Sequence, residues 1–350
     1  MRLGLNLGYH VGQGSPAVHL ALTREAERLG FSAVWVAEAY GSDAPTALAW
    51  LAAQTHRIDL GSAVMQIPAR TPAMTAMTAA TLDMLSGGRF RLGLGISGPQ
   101  VSEGWHGVRF DHPVARTREY VDLVRLALRR HPVTGAGPHY PLPLPDGPGK
   151  ALRLMLHPGR ENLPVYLGAI GPRNLRLTGE VADGWLGIFL APEHSAEPLA
   201  HLAAGRARAG QSLTGFDVAP TVPVVFGDDL DACALAVRPY AALYLGGMGS
   251  REQNFYNQLC VRMGYADAAR TVQERYLAGQ KHAAAAAVPL PFLDSTSLLG
   301  PTRRIADRLH AYADAGVTTL VAGLFGGDLE RGVATLRGLA EALDISGLGD

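Results

Sequence analysis

The sequence predicts an α/β protein, and we expect its strands and helices to form a (β/α)8 barrel with insertions. Apolar strand-like runs alternate with helical patterns eight times along the chain. The chain has 350 residues, of which 47% are hydrophobic, and α/β barrels of this size fold as one domain with a large core. The runner-up is an open doubly wound sheet, which usually divides into two lobes, although no linker marks such a division.

The predicted strands are short apolar runs, several of which end in small residues. They are Leu3–Gly8, Ala33–Ala37, Ile58–Gln66, Phe90–Ile96, Pro164–Gly168, Gly184–Phe189, Val218–Phe226 and Thr319–Ala322. Because small residues at the carboxyl ends of parallel strands leave the main chain open, a flat ligand can lie at that edge of the sheet.

The predicted helices carry apolar residues at helical spacing. Ser15-Pro16 and Thr71-Pro72 also pair a capping hydroxyl with a proline at the first helical position. The predicted helices are Pro16–Leu29, Ala44–Thr55, Thr71–Leu85, Val114–Arg130, Pro172–Val181, Pro192–Gly210, Pro301–Ala315 and Leu329–Leu343.

We expect one domain over residues 1–350, with two segments that do not belong to a minimal barrel. Residues 131–162 are dense in Pro and Gly, which predicts an ordered excursion over the surface or the mouth of the barrel. Residues 230–299 hold two further helical patterns, Asp231–Leu245 and Arg251–Leu277, between the seventh and eighth strands. Such an insertion can pack on a partner subunit or cover the site.

Charge and cysteine content exclude several classes of protein. Lys and Arg total 31, Asp and Glu also total 31, and the formal net charge is +0, which argues against nucleic-acid binding. The apolar run after Met1 is too short for a signal peptide, and no apolar stretch of about 18 residues predicts a membrane span. Cys233 and Cys260 give neither a metal-ligand spacing nor a disulfide framework, which fits the cytoplasm.

A glycine-rich segment, Gly93-Leu94-Gly95-Ile96-Ser97-Gly98, fits the G-x-G-x-x-G pattern of dinucleotide-binding loops. However, it closes the predicted fourth strand rather than the first, and no acidic residue follows at the position that such a loop requires. We therefore expect Ser97 and Gly98 to belong to a wall against another flat ligand. A dinucleotide loop and a plain turn are the alternatives.

A second turn of small residues, Gly168-Ala169-Ile170-Gly171, joins the fifth strand to a helix that starts at Pro172. Free backbone N–H groups and the helix dipole attract phosphate at such a position, and Arg173 can add a charged donor. An ordinary strand-to-helix turn is the alternative.

Three side chains near strand ends are candidates for moving a proton. Glu38 follows the second strand and Glu103 lies beyond the fourth, where the chemistry of barrel enzymes collects. His10 lies on the loop after the first strand. The alternatives are an ion pair between Glu38 and a neighbouring Lys or Arg, and a solvated loop around His10.

The sequence lacks the residues of several familiar reactions. No metal-ligand cluster, G-x-S-x-G elbow or P-loop occurs. A site with few ionisable groups suits a cofactor that carries the chemistry itself, so we expect a cofactor and no metal.

Stretches along most of the chain together resemble the bacterial luciferase-like superfamily. They look most like its coenzyme F420-dependent branch, which includes the methylenetetrahydromethanopterin reductases. The matching stretches are Leu29–Glu38, Thr55–Val64, Leu82–Phe90, Ser97–Trp105, Tyr166–Pro172 with Ala182–Trp185, and Tyr312–Val317.

The resemblance implies a TIM barrel that holds a deazaflavin ring over the carboxyl ends of its strands. It implies a bulge in the third strand near Ser62-Ala63-Val64, often with a non-proline cis peptide, that backs the ring. It places the cofactor phosphate on Gly168–Gly171, with Ala169 and Ile170 between the two glycines, and it makes Glu103 the first acid/base candidate and His10 the second.

One departure from the family pattern concerns the end of the second strand. Several F420-dependent dehydrogenases carry an acidic residue and then histidine there, whereas this chain has Glu38 and then Ala39. A mechanism that uses that histidine as the proton acceptor therefore lacks its proton acceptor in this chain.

We predict a cytoplasmic F420-dependent oxidoreductase that moves hydride between C5 of the deazaflavin and a small organic substrate. The resemblance also implies a homodimer. An FMN-dependent monooxygenase of the same superfamily and a non-catalytic flavin-binding protein are the alternatives. No readable pattern in the loops at the barrel mouth identifies the substrate.

Overall fold

The computed structural model describes residues 1–9, 15–160 and 162–349. Within them, a curled parallel sheet forms the centre of the molecule and helices pack around it. The strands are β1 (Arg2–Asn6), β2 (Ala33–Val36), β3 (Asp59–Ser62), β4 (Met65–Gln66), β5 (Phe90–Gly95), β6 (Val165–Gly168), β7 (Gly184–Leu186), β8 (Asp217–Val218), β9 (Thr221–Phe226), β10 (Leu298–Gly300) and β11 (Thr319–Leu324).

The helices lie close to their predicted positions. The Thr71 hydroxyl accepts a capping hydrogen bond from the Met74 N–H, as expected, whereas the Ser15 side chain makes no capping bond. The helices are α1 (Pro16–Arg28), α2 (Ala44–Ala52), α3 (Pro72–Leu85), α4 (Pro99–Gly104), α5 (Pro113–Leu128), α6 (Pro172–Val181), α7 (Ala196–Arg208), α8 (Leu230–Ala242), α9 (Phe255–Arg262), α10 (Ala266–Leu277), α11 (Lys281–Ala286), α12 (Leu290–Ser295), α13 (Thr302–Asp314) and α14 (Leu329–Ser346).

The sheet closes into a barrel with eight positions. Their order is β1, β2, β3 with β4, β5, β6, β7, β8 with β9, and β11, which pairs again with β1. The N–H of Thr221 donates to the carbonyl of Gly187 over 2.8 Å, and Ile188 pairs with Thr221, so the chain after β7 reaches β9. The predicted (β/α)8 barrel is therefore confirmed, with β10 as an added strand beside β9.

The inside of the barrel holds an aromatic layer above a charged floor. The buried rings of Trp35 and Tyr166 meet edge to face, with centroids 5.2 Å apart. At the amino-terminal ends of the strands, Arg91 pairs with Asp59 at 2.6 Å and with Asp217 at 3.2 Å, and it donates to the Tyr166 hydroxyl over 2.9 Å. Because each charge has an opposite neighbour, this floor can stay buried.

The insertion after β9 is more divided than the sequence predicts. The pattern Asp231–Leu245 is α8 followed by a π-helical turn over Leu243–Gly247. The pattern Arg251–Leu277 is two helices, α9 and α10, because Gly264 adopts a φ of 93° that no helix continues through. Two short helices, α11 and α12, follow.

The segment after β7 and the segment between α5 and β6 are the remaining parts of the chain with a specific prediction. The predicted helix Pro192–Gly210 starts as a 3-10 turn and continues as α7. The described part of residues 131–162 contains neither helix nor strand beyond one antiparallel bridge between Gly135 and Leu142, as an irregular excursion would. Among the described residues, none of the helices combines the length and the apolar character needed to cross a membrane.

Candidate active site

A cavity of about 1440 Å³ opens at the carboxyl ends of the barrel strands. Ligand pockets for one small molecule measure about 300–1,000 Å³, so this cavity has room for a cofactor and a substrate together. All eight barrel positions contribute to its wall, through Asn6, Ala37, Val64, Gly95, Gly168, Leu186, Thr221 and Gly323.

The third barrel position supplies a kinked wall. The predicted non-proline cis peptide is confirmed between Ala63 and Val64, in the break between β3 and β4, and both residues line the cavity. A Cβ atom on Gly93 would lie 1.8 Å from the Ser62 carbonyl oxygen, and one on Gly95 would lie 2.4 Å from a Val64 methyl group. These two glycines therefore make room for the kink itself.

Ser62 supports this wall from behind rather than facing the cavity. Its side chain is fully buried, its hydroxyl donates to the Gly93 carbonyl over 2.8 Å, and it accepts from the Gly93 N–H over 2.9 Å. Both bonding partners of the hydroxyl belong to β5, so Ser62 can act on a bound ring only through the main-chain kink that it supports, and its place in the cofactor site stays a prediction.

Ser97 and Gly98 lie on the cavity wall where β5 gives way to α4. Ser97 adopts a left-handed backbone with a φ of 60°, which is uncommon for a residue with a side chain. A Cβ atom on Gly98 would meet no atom within 4 Å. The main chain at these two residues is therefore open to a ligand.

The turn Gly168–Gly171 lines the cavity at the start of α6. The indole Nε1 of Trp185 donates to the Ala169 carbonyl over 2.9 Å, which fixes the turn against the barrel. Since the first N–H groups of a helix have no partner within it, those of Arg173 and Asn174 are available to an anion in the cavity.

Basic side chains surround this turn, and we call them together with Gly168–Gly171 the cationic half of the cavity. They are Arg118 on α5 and Arg173 and Arg176 on α6. Arg118 pairs with Glu180 at 2.6 Å, whereas no acidic side chain among the described residues lies within ion-pair distance of the other two. Positive charge and free N–H groups together suit a phosphate.

Asn174 adds an independent sign of a missing partner at the same place. Its side chain lines the cavity, and its Oδ1 atom is buried without a hydrogen-bond partner in the described part of the chain. A buried amide without a partner is costly unless something else satisfies it. A bound molecule with hydrogen-bonding groups fits this gap.

The opposite wall is aromatic, since β1 lies four positions away from β6 around the barrel. Tyr9 follows β1, Tyr240 and Tyr244 come from α8 and its π-helical turn, Tyr256 comes from α9, and Phe325 follows β11. The hydroxyls of Tyr9 and Tyr244 are hydrogen-bonded at 3.0 Å. We call these five residues the aromatic half.

Glu38 lies on the cavity wall but is held in an ion pair. Its carboxylate accepts two hydrogen bonds from Arg70, at 2.6 and 2.9 Å, and backbone N–H bonds from Gln66 at 3.1 Å and Ala44 at 3.2 Å. Its side chain is 8% exposed. The ion-pair alternative raised for Glu38 is therefore what the structure contains, and no acceptor site is left for a substrate proton.

The structure places Glu103 outside the cavity lining, which corrects its ranking as first acid/base candidate. Glu103 is exposed on α4, and its carboxylate accepts from the Phe110 N–H over 3.0 Å. The short helix turns the neighbouring Ser102 inward instead, where its side chain is buried. His10 lies outside the described residues, so its placement is not stated.

Sequence reasoning missed Arg118, Arg176 and the tyrosines of the aromatic half. Tyr240 and Tyr244 are spaced four residues apart on a predicted helix, a spacing that puts both on one helical face. That signal is weak, because the sequence does not indicate that this helical face packs against Tyr9, which follows β1. Among the described residues, no group of His, Cys, Asp and Glu is arranged to hold a metal ion.

Comparison with known families and proteins gives consistent findings. The sequence model of the family described as luciferase-like monooxygenase matches residues 1–319. A relative from Mycobacterium tuberculosis, Rv3520c, assigned as a coenzyme F420-dependent oxidoreductase, is 45% identical over 343 residues, which cover 96% of this chain and 99% of the relative. The 5,10-methylenetetrahydromethanopterin reductase of Archaeoglobus fulgidus is 29% identical over 304 residues, or 85% of this chain and 86% of the relative.

A solved structure supports the same grouping. The coenzyme F420-dependent tetrahydromethanopterin reductase of Methanopyrus kandleri superposes with a TM-score of 0.81 at 25% identity, covering 96% of this chain and 97% of that protein. The similarity spans the barrel and the insertion, since it extends over nearly all of both chains.

Proposed function

The chain belongs to the luciferase-like monooxygenase family, and on that basis we propose that it is an oxidoreductase that uses coenzyme F420. The observation that carries the proposal is the 45% identity, over 96% of the chain, to a relative assigned as an F420-dependent oxidoreductase. The reaction proposed is hydride transfer between the deazaflavin and a small organic substrate.

The residues at the cavity fit a molecule with a flat ring and a phosphate. The kink at Ala63-Val64 presents a main-chain wall for a ring, and the open backbone at Ser97 and Gly98 lies beside it. The unpaired Arg173 and the buried, unsatisfied Asn174 Oδ1 lie where a phosphate and its neighbouring groups would bind. When bound, the deazaflavin supplies the hydride acceptor or donor at C5.

The protein's own residues would bind and orient both molecules. The N–H groups at the start of α6 and the guanidinium groups of the cationic half hold the phosphate end, which fixes the ring over the strand ends. Ala63 and Val64 exclude water from one ring face. For the accompanying proton, His10 remains the candidate from the sequence, because Glu38 is bound to Arg70 and Glu103 does not line the cavity.

Titration with cofactors tests this proposal directly. Purified protein is titrated into F420 and, separately, into FMN, and cofactor fluorescence is followed. We expect saturable quenching of F420 and much weaker quenching of FMN. Absence of F420 binding removes the proposal. Tight FMN binding with oxygen consumption by the reduced form would support the monooxygenase of the same family instead.

We further propose a homodimer that uses the outer face of α3. Met74, Met77, Met84 and Leu85 are each at least half exposed on that helix, and a contiguous apolar face of this kind is unusual on a monomer surface. Light scattering after size exclusion should give a dimer for the wild type and a monomer for Met77→Glu. Met155→Glu is the matched control, since Met155 is 90% exposed in the excursion. A monomeric wild type contradicts the proposal.

We also propose a cytoplasmic location, since Cys233 and Cys260 are both free and buried. Fractionation of cells that produce the protein tests this location.

A further inference from the structure

The aromatic half carries hydroxyl groups that face the cavity. The ring centroids of Tyr244 lie 4.7 Å from Tyr240 and 4.8 Å from Tyr256, and the Tyr240 ring lies 4.8 Å from Phe325. The Tyr9 and Tyr244 hydroxyls share one hydrogen bond. The four tyrosines are therefore joined by ring contacts and one hydrogen bond into a single surface.

The Tyr256 hydroxyl has a place for a ligand. Tyr256 lines the cavity, and no hydrogen-bond partner of its hydroxyl is found in the part of the chain that the structure describes. The Tyr244 hydroxyl is already engaged, because it shares a hydrogen bond with Tyr9 and also interacts with the Tyr240 hydroxyl. The Tyr256 hydroxyl is thus the phenol donor that is free to meet an acceptor in the cavity.

Apart from Arg262 on α9, the charged side chains that line the cavity belong to elements other than those that carry the aromatic half. Those in the described residues are Glu38, Arg118, Glu119, Arg173, Arg176 and Arg262. Glu38 is neutralised by Arg70, and the others belong to α5, α6 and the carboxyl end of α9. A carboxylate or phosphate against the aromatic half would be desolvated without a countercharge.

The aromatic hydroxyls themselves remain uncharged. Burial raises the pKa of Tyr244 and Tyr256 above the ordinary value of 10.0. They act as neutral hydrogen-bond donors rather than as acids that give up a proton near neutral pH.

We infer that the aromatic half is the substrate subsite and that it selects an uncharged, mostly apolar ring compound whose single carbonyl or hydroxyl oxygen accepts a hydrogen bond from Tyr256, beside the polar network of Tyr244. The role as substrate subsite rests on the proposed function. The rings of Tyr240 and Phe325 supply the apolar contact. Among the described lining residues, the one Arg or Lys on an element of this half is Arg262, and its pairing with Glu197 at 3.9 Å disfavours anionic compounds.

Three probes with the same bicyclic skeleton test the selection. Binding of 2-tetralone, of tetralin-2-carboxylate and of tetralin is measured by ligand-observed NMR on the full chain. We expect 2-tetralone to bind at least about tenfold more tightly than the carboxylate, because the anion lacks a countercharge. We expect it to bind a few-fold more tightly than tetralin, which has no oxygen. Equal or tighter binding of the carboxylate, or no saturable binding of 2-tetralone, overturns the inference.

Substitutions test whether the tyrosine hydroxyl groups cause the preference for the ketone. The double variant Tyr244→Phe with Tyr256→Phe should raise the Kd for 2-tetralone by about threefold to tenfold and leave tetralin unchanged. Tyr276→Phe is the matched control, because Tyr276 belongs to the same insertion and does not line the cavity. Unchanged affinity for 2-tetralone in the double variant, with a wild-type Tm, overturns the inference.

The probes also separate this inference from the cofactor assignment. If F420 fails to bind while 2-tetralone binding still depends on the two hydroxyls, the cofactor proposal is wrong and the neutral-ligand subsite stands. If F420 binds normally and the probes show no preference for the neutral ketone, the subsite is wrong and the cofactor proposal stands.

Discussion

The two halves of the cavity differ both in chemistry and in origin. The cationic half is built from the barrel itself, because its turn follows β6 and its arginines start α6 or lie on α5. The aromatic half joins the residue after β1 to an insertion that follows β9, and one of its hydrogen bonds spans 235 residues of sequence. Both halves line the same cavity as the kinked wall of Ala63 and Val64.

Under the proposed function, the contrast separates the part of the cavity that binds the cofactor from the part that selects the substrate. A helix start with free N–H groups and arginines offers the same interactions to any phosphate. A packed surface of phenol rings offers shape and neutral hydroxyl groups, and three of its five residues come from the insertion. Four predictions test this contrast. They start at the kinked wall of the cavity and end at the phenol groups of the aromatic half.

The largest effect is expected at the shared wall. Gly93→Ala should lower the free energy of unfolding by about 3 kcal/mol or more, since the added Cβ would lie 1.8 Å from the Ser62 carbonyl oxygen. Gly98→Ala is the matched control, because no atom lies within 4 Å of its added Cβ. Urea denaturation measures both. A fully stable Gly93→Ala would mean that the kink is not fixed by β5.

A smaller loss of stability is expected at Glu38. Glu38→Gln should cost about 2 kcal/mol, because it leaves the partly buried Arg70 with Asp43 as its remaining acidic partner among the described residues. Glu103→Gln, on the exposed surface, should cost less than about 0.5 kcal/mol. Urea midpoints compare the two. If Glu38→Gln is fully stable but loses F420-dependent turnover, Glu38 acts in the chemistry instead.

The third prediction separates the halves by ligand. The double variant Arg173→Gln with Arg176→Gln should weaken F420 binding by about tenfold to hundredfold, through loss of charge-assisted hydrogen bonds, and leave 2-tetralone binding unchanged. Arg208→Gln, exposed on α7, serves as control. Fluorescence quenching and ligand-observed NMR report the two affinities. Equal weakening of both ligands would show that the halves are not independent.

The smallest effect concerns pH. Burial raises the pKa of Tyr244 and Tyr256 above 10.0, so their protonated, donating form is complete below that pH and is lost only as the pH rises through the raised pKa. The Kd for 2-tetralone should therefore stay constant from about pH 6 to about pH 9. An NMR titration at several pH values checks it. A marked change near pH 7 would point to another titrating group.

Sequence alone predicted the cationic half better than the aromatic half, for a physical reason. A turn of small residues before Pro172 and Arg173 is a local pattern, and local patterns determine helix starts. The cis peptide position came from family resemblance, and it lies where expected, between Ala63 and Val64. The glycines at 93 and 95 were visible, but whether they face a ligand or the chain's own kink depends on packing across strands.

Packing between distant segments also explains why the sequence did not determine the surroundings of Glu38 and Glu103. Glu38 could equally be an acid or an ion-pair partner until Arg70, 32 residues away, was placed beside it. Glu103 and Ser102 are adjacent, and which of them turns inward depends on the start of a six-residue helix. Helix boundaries are the least certain feature of any assignment from sequence.

The charged floor of the barrel is separate in sequence from the insertion that contributes to the cavity above it. Arg2, Asp59, Arg91 and Asp217, which form it, all precede the segment that begins at Leu230. The insertion, which carries three of the five residues of the aromatic half, can therefore change in sequence while the ion pairs beneath the cavity stay unaltered. We expect relatives with other specificities to differ most in this segment and least in the floor.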